Sequence, residues 1–179
     1  MAILPVITAP DPRLKVKSKP VERADDEIRR LMDDMLETMY EAPGIGLSAV
    51  QVGVHKRVIV IDLAKEDEEP RPLKLANPEI LWLSDETVTF EEGCLSVPGF
   101  YAEVTRPAGI RIRYLDPENE ARELAADGLL ATVIHHEMDH LDGILFIDHL
   151  TALRRNIILR KLAKARRAKP PARAAAPGA

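Results

Sequence analysis

The segment "TVIHHEMDHLDG", residues 132–143, gathers three of the chain's five histidines beside a glutamate. Within it HEMDH has the form H-E-x-x-H, with His136 and His140 four residues apart. On a helix that spacing stacks both imidazoles on one face about a turn apart, where both reach a single ion, and it sets Glu137 beside that face. Leu129, Leu130, Val133 and Ile134 lead into the histidines and Asp142-Gly143 closes the run, so the pattern predicts a helix from about Gly128. Solvated helices carry the same five-residue pattern by chance, so the spacing alone leaves a structural reading open. Two imidazoles are also too few: a catalytic ion usually takes three protein ligands and keeps one position free.

Upstream of this helix the chain alternates. "LKLANPEILWL", "ETVTFEEGCLSVPG", "AEVTRP", "GIRIRYLD" and "ARELAADG" read as short antiparallel strands divided by Pro, Gly, Asp and Asn turns. A β-branched strand lies near residues 57–63. Nearer the N-terminus, Ile28, Leu31, Met32, Met35, Leu36, Met39 and Tyr40 recur with helical period over residues 25–41, behind Asp25 or Asp26 as N-cap and ahead of Pro43-Gly44. The methionines of that stripe read as core packing. Short strands followed by a helix argue an α+β fold, with antiparallel or mixed sheets around a central H-E-x-x-H helix, an amphipathic helix before them and a basic helix after.

At 179 residues the chain suits one domain, and its 46% apolar content and mean hydropathy of -0.14 are those of a globular protein. No apolar run approaches the roughly 18 residues of a membrane span. The N-terminus lacks a basic n-region, and Pro5, Pro10 and Pro12 interrupt any apolar h-region, so secretion is not expected. One cysteine, Cys94, excludes an internal disulfide and fits a reducing compartment such as the cytoplasm. The net charge of -4 conceals an asymmetry: nine lysines and arginines and no acid lie from Thr151 onward, leaving 16 of the 25 cations among all 29 acids. An acidic body with a basic tail is a pattern that goes with an anionic partner. Residues 153–168 read as a basic amphipathic helix and 169–179, "KPPARAAAPGA", as a disordered end, so the expected division is 1–150, 151–168 and 169–179.

A third ligand is sought first downstream, as in zinc proteases. The H-E-x-x-H-x-x-G-x-x-H form fails, since position 143 is Gly but position 146 is Phe, and His149 stands nine residues beyond His140. Upstream, "EEGCLSVPG", residues 91–99, holds Cys94 after a glycine that admits close backbone approach. Alone, Cys94 reads as a buried thiol; beside an incomplete two-histidine site it reads as a ligand. "GIGLSAVQ", residues 44–51, has no third glycine and follows a helix, which excludes a dinucleotide fingerprint. Its readings are a tight turn exposing Gln51, or an amide placed to donate to an oxyanion.

"GIGLSAVQ", "EGCLS" and "HEMDH", in this order and at these separations, resemble the three motifs of bacterial peptide deformylases, and the likeness runs from about residue 3 to residue 150. The resemblance implies removal of the formyl group from the N-terminal formyl-methionine of nascent polypeptides. It implies Cys94, His136 and His140 as ligands of one divalent metal ion, usually ferrous iron in that family, with zinc, nickel or cobalt as substitutes. It further implies Glu137 as general acid/base, Gln51 and the backbone N–H of Leu95 as oxyanion donors, and Gly46 as a backbone contact for the peptide. His135, where the family commonly has glutamine, points about 100° around the helix from His136 and reads as a neighbour. Ser48 and Val50 vary the family's "GLAAxQ" form. Residues one turn before His136 share its face, which makes Leu129, Thr132 and Val133, with Ile45, candidates for the methionine pocket. The basic tail resembles the helix through which some deformylases dock on the ribosome. The competing readings are a metallopeptidase and a catalytically silent RNA- or ribosome-binding protein.

Overall fold

The computed structural model describes residues 2–168. In chain order its elements are α1 (Asp26–Glu41), β1 (Gly46–Ser48), β2 (Val58–Ile61), β3 (Leu73–Leu83), β4 (Thr87–Cys94), β5 (Val97–Pro107), β6 (Gly109–Leu115), β7 (Ala121–Asp127), α2 (Gly128–Leu141) and α3 (Ala152–Ala168), with short 3₁₀ turns at Pro12–Lys15, Ala49–Val52 and Phe146–His149. Five strands form one sheet in the order β1-β2-β3-β6-β7 and β4 pairs with β5 in a second; all these pairs are antiparallel. The fold is α+β, as expected. The expected tail, 169–179, lies outside the described residues.

Strand β2 shows how the layers assemble. Its four residues Val-Ile-Val-Ile are all buried, because alternate side chains enter opposite faces of the sheet. Val58 and Val60 join Met32, Met35 and Met39 of α1, while Ile59 and Ile61 join Ile134 and Met138 of α2. The sheet is therefore sandwiched between the two helices. The methionine stripe is core packing, and Asp25 caps α1 by accepting the Ile28 N–H at 3.0 Å.

Helix α2 buries ten of its 14 residues. It ends at Leu141 with Asp142 as C-cap, and the next residue is Gly143, whose φ of +76° is a left-handed conformation and whose Cβ, if present, would stand 2.5 Å from the Lys15 carbonyl oxygen. Only glycine satisfies both conditions. Beyond it, Phe146 fills the position a downstream third histidine would need and packs into a core with Leu14, Val97 and Val104. Helix α3 closes that core with Ile158 and Leu162, so it is anchored to the body by one apolar edge.

Candidate active site

Cys94 ends β4, where the chain reverses through Leu95-Ser96 and Val97 pairs back across it. The Tyr101 ring covers Gly93; a Cβ there would lie 2.6 Å from it, so the strand presses tightly against its partner just before the thiol. Helix α2 brings His136 and His140 to the same point, with ring centroids 5.1 Å apart. Ligand atoms of Cys94, His136 and His140 all lie within 4.8 Å of one another, and Cys94 Sγ is 3.3 Å from His140 Nε2. His136 Nδ1 lies 2.8 Å from a Glu92 carboxylate oxygen, so its Nδ1–H donates and its Nε2 lone pair is left for the cluster. His140 is fully buried, and its Nδ1 has no hydrogen-bond partner among the described residues.

Glu137 is buried beside this cluster, its Oε1 3.9 Å from His136 Nε2. Ser48 Oγ stands 2.8 Å from both Oε2 and the carbonyl oxygen of Glu137. The Ser48 N–H donates to Gln51 Oε1 at 2.9 Å, which turns the Gln51 amide nitrogen toward Ser96 Oγ at 3.0 Å and Cys94 Sγ at 3.5 Å. Gln51 is thus buried instead of exposed on a turn, and Ser48, noted in the sequence only as a departure, ties it to Glu137. Gly46 lies so close to that carboxylate that a Cβ would sit 2.6 Å from its Oε1.

Electrostatics follow from burial. Desolvation raises Glu137 above the ordinary carboxylate range. Burial opposes charge on His136, but the Cys94 sulfur, Glu92 and Glu137 outweigh it and hold its pKa well above the usual imidazole value. Burial and the neighbouring His136 charge press His140 well below that value. The two imidazoles are thus pushed in opposite directions. A sulfur and two imidazoles converging on one point fit a borderline divalent ion.

Cys94, His136, Glu137, Gln51 and Leu95 border a cavity of about 750 Å³, and so do Ile45, Gly46, Leu129, Thr132 and Val133. His135 is turned aside, with Nε2 3.9 Å from Asp139 Oδ1. Glu92 and Arg106 were absent from the sequence reading. Arg106 binds Glu92 through two hydrogen bonds, Nε to Oε2 at 2.7 Å and a terminal nitrogen to Oε1 at 2.9 Å, and it is almost fully buried.

Residues 3–156 match the family model described as polypeptide deformylase. The chain belongs to that family. It is 59% identical over 164 residues to the peptide deformylase of Phenylobacterium zucineum, covering 92% of this chain and 97% of that one. Its fold matches a crystal structure of peptide deformylase from Ehrlichia chaffeensis with a TM-score of 0.89 at 40% identity, covering 93% of this chain and 98% of the other. A structure from the same organism in complex with actinonin matches equally well, at 0.89 and 42% identity over 93% and 99%. Polypeptide deformylases are metal-dependent hydrolases, and the reaction is removal of the N-terminal formyl group from formyl-methionyl polypeptides, with release of formate. Among the described residues no helix is long and apolar enough to cross a membrane.

Proposed function

We propose that Cys94, His136 and His140 hold one divalent metal ion, that Glu137 is the general acid/base, and that Gln51 and the Leu95 N–H are the oxyanion donors. The observation that carries this reading is the convergence of three ligand atoms within 4.8 Å, with Cys94, His136 and the buried carboxylate of Glu137 on the wall of a cavity of about 750 Å³. Ferrous iron is the ion proposed from the family likeness; thiolate and imidazole donors suit zinc, nickel and cobalt as well. Its contribution when bound is to acidify water and polarise a carbonyl.

A formamide resists hydrolysis because resonance protects its carbonyl and its amine leaves poorly. Glu137, whose carboxyl burial raises above its ordinary value, is suited to take a proton from the attacking water and return it to the departing nitrogen. Ser48 steadies the carboxylate through its hydroxyl and Gln51 through its N–H, so the proton carrier and the amide donor keep a fixed spacing. Negative charge that develops on the formyl oxygen is met by the Gln51 amide and the Leu95 N–H, a kind of donor worth about 3 to 4 kcal/mol. β1 is an edge strand of its sheet, so its outer backbone groups are suited to pair with the peptide as an added strand, with Gly46 as the contact. The methionine side chain would enter between Ile45, Leu129, Thr132 and Val133. Arg154, Arg155, Arg160, Lys161 and Lys164 give α3 a basic surface suited to ribosomal RNA, in keeping with a cytoplasmic role on nascent chains.

Glu137→Ala tests the centre of this reading. It is expected to retain one equivalent of metal while formate release from formyl-Met-Ala falls by about 10²- to 10⁴-fold, the usual contribution of a general base. Full residual activity would remove Glu137 from the mechanism.

A further inference from the structure

His149 is too far along the chain to act as a protease-type third ligand, and the metal cluster does not include it. Its side chain is nonetheless placed with care. It is 39% exposed, and its Nε2–H donates to Asp139 Oδ2 at 2.8 Å. The same oxygen accepts a hydrogen bond from Arg106 at 2.9 Å. Arg106 in turn grips both oxygens of Glu92, and Glu92 holds His136 through Nδ1. A continuous hydrogen-bonded path thus runs from solvent, through His149, Asp139, Arg106 and Glu92, to an imidazole of the metal cluster.

Arg106 is the node of this path. Its side chain is 2% exposed and its charge faces two carboxylates on different elements, Glu92 of β4 and Asp139 of α2. It could be drawn toward either. A hydrogen bond from His149 occupies the shared Asp139 oxygen, fixing where Asp139 stands and hence how Arg106 divides itself between the two acids. The turn that carries His149, Phe146–His149, also stacks Phe146 on the His136 ring, with centroids 6.1 Å apart and an interplanar angle of 22°. One short turn therefore constrains His136 twice, directly by an aromatic face and indirectly through three charged side chains.

We propose that His149 is a positioning residue for the metal cluster, acting through Asp139 and Arg106 on Glu92 and so on the orientation of His136. This rests on the reading that Cys94, His136 and His140 bind a divalent ion. Removing a direct partner of a ligand typically weakens metal binding by roughly 10- to 100-fold. His149 stands further out, so the expected effect of His149→Ala is smaller, a several-fold faster loss of metal.

The full-length protein loaded with one equivalent of Co²⁺ provides the test, read by its thiolate charge-transfer and visible ligand-field bands and by the rate of Co²⁺ release to excess chelator. His149→Ala is expected to release Co²⁺ several-fold faster, to alter the ligand-field bands, and to lower kcat on formyl-Met-Ala with little change in KM. His149→Gln, which restores a donor to Asp139, is expected to recover most of the difference. In combination with Asp139→Asn, His149→Ala is expected to add nothing, because both break the same path. If Co²⁺ release and spectrum are unchanged in His149→Ala while only thermal stability falls, His149 is a structural tie and the proposal is overturned. If the wild-type protein gives no thiolate–Co²⁺ band at all, the metal reading itself fails, a separate result.

Discussion

Helices α2 and α3 are of similar length and both are rich in ionisable groups, yet they use them in opposite ways. In α2, His136, Glu137, Asp139 and His140 are buried, and their partners come from β1, β4, β5 and the turn after the helix. In α3, only Ile158 and Leu162 are buried and the cations lie on the outside. Charges taken out of water acquire strong interactions and need partners to survive there. Charges left in water act at long range, weakly and additively. The chemistry of α2 is thus a property of the whole tertiary structure, and that of α3 a property of its composition.

Three variants probe this contrast, in order of falling effect on stability. Glu92→Ala leaves Arg106 and His136 without their shared acceptor inside the protein and is expected to cost about 3 to 5 kcal/mol, as for other broken buried ion pairs, measured by urea unfolding. A loss below about 1 kcal/mol would mean that water replaces the carboxylate and that the interior around α2 is wetter than its burial indicates. Leu162→Ala tests the apolar edge of α3 and is expected to cost about 2 to 3 kcal/mol in the same measurement. Because this edge closes a core shared with Phe146, deleting the helix would expose that core, and substitution is the cleaner way to examine its charge. Arg160→Glu with Lys164→Glu should change stability by no more than about 0.5 kcal/mol each and leave turnover of a short formyl peptide intact. It should weaken co-sedimentation with ribosomes in a salt-dependent manner. Unchanged co-sedimentation would remove α3 from any ribosomal role.

What could be read from the sequence follows the same division. Periodic elements were legible: α1, β3, β6, β7 and α2 announce themselves by spacing, and H-E-x-x-H by its two histidines one turn apart. The reversal between β4 and β5 was not, because Leu95-Ser96 lacks the Gly, Asn or Asp that marks a two-residue hairpin turn; the bend is held instead by the Ser96 N–H on Cys94 Sγ at 3.4 Å and by the Cys94–Val97 pairing. Arg106 did leave a trace. It shares the strand face of Ala102 and Val104, so period-two alternation placed a charge in the apolar register. Its partners left none, since Glu92 and Asp139 are 14 and 33 residues away and only the tertiary fold brings them together. Ser48 was visible as a residue and invisible as a contact, its acceptor lying 89 residues further on.

The bare backbone of Gly46 against Glu137 has one more consequence. With no side chain between them, the strand edge suited to align a peptide and the carboxylate suited to move its proton share a single coordinate origin. On the proposed reading, changes at Ile45, Leu129 or Val133 would alter which side chain is welcomed into the cavity they line. They would not slide the bond presented for cleavage, because that offset would be written in main chain, where ordinary substitution has no purchase.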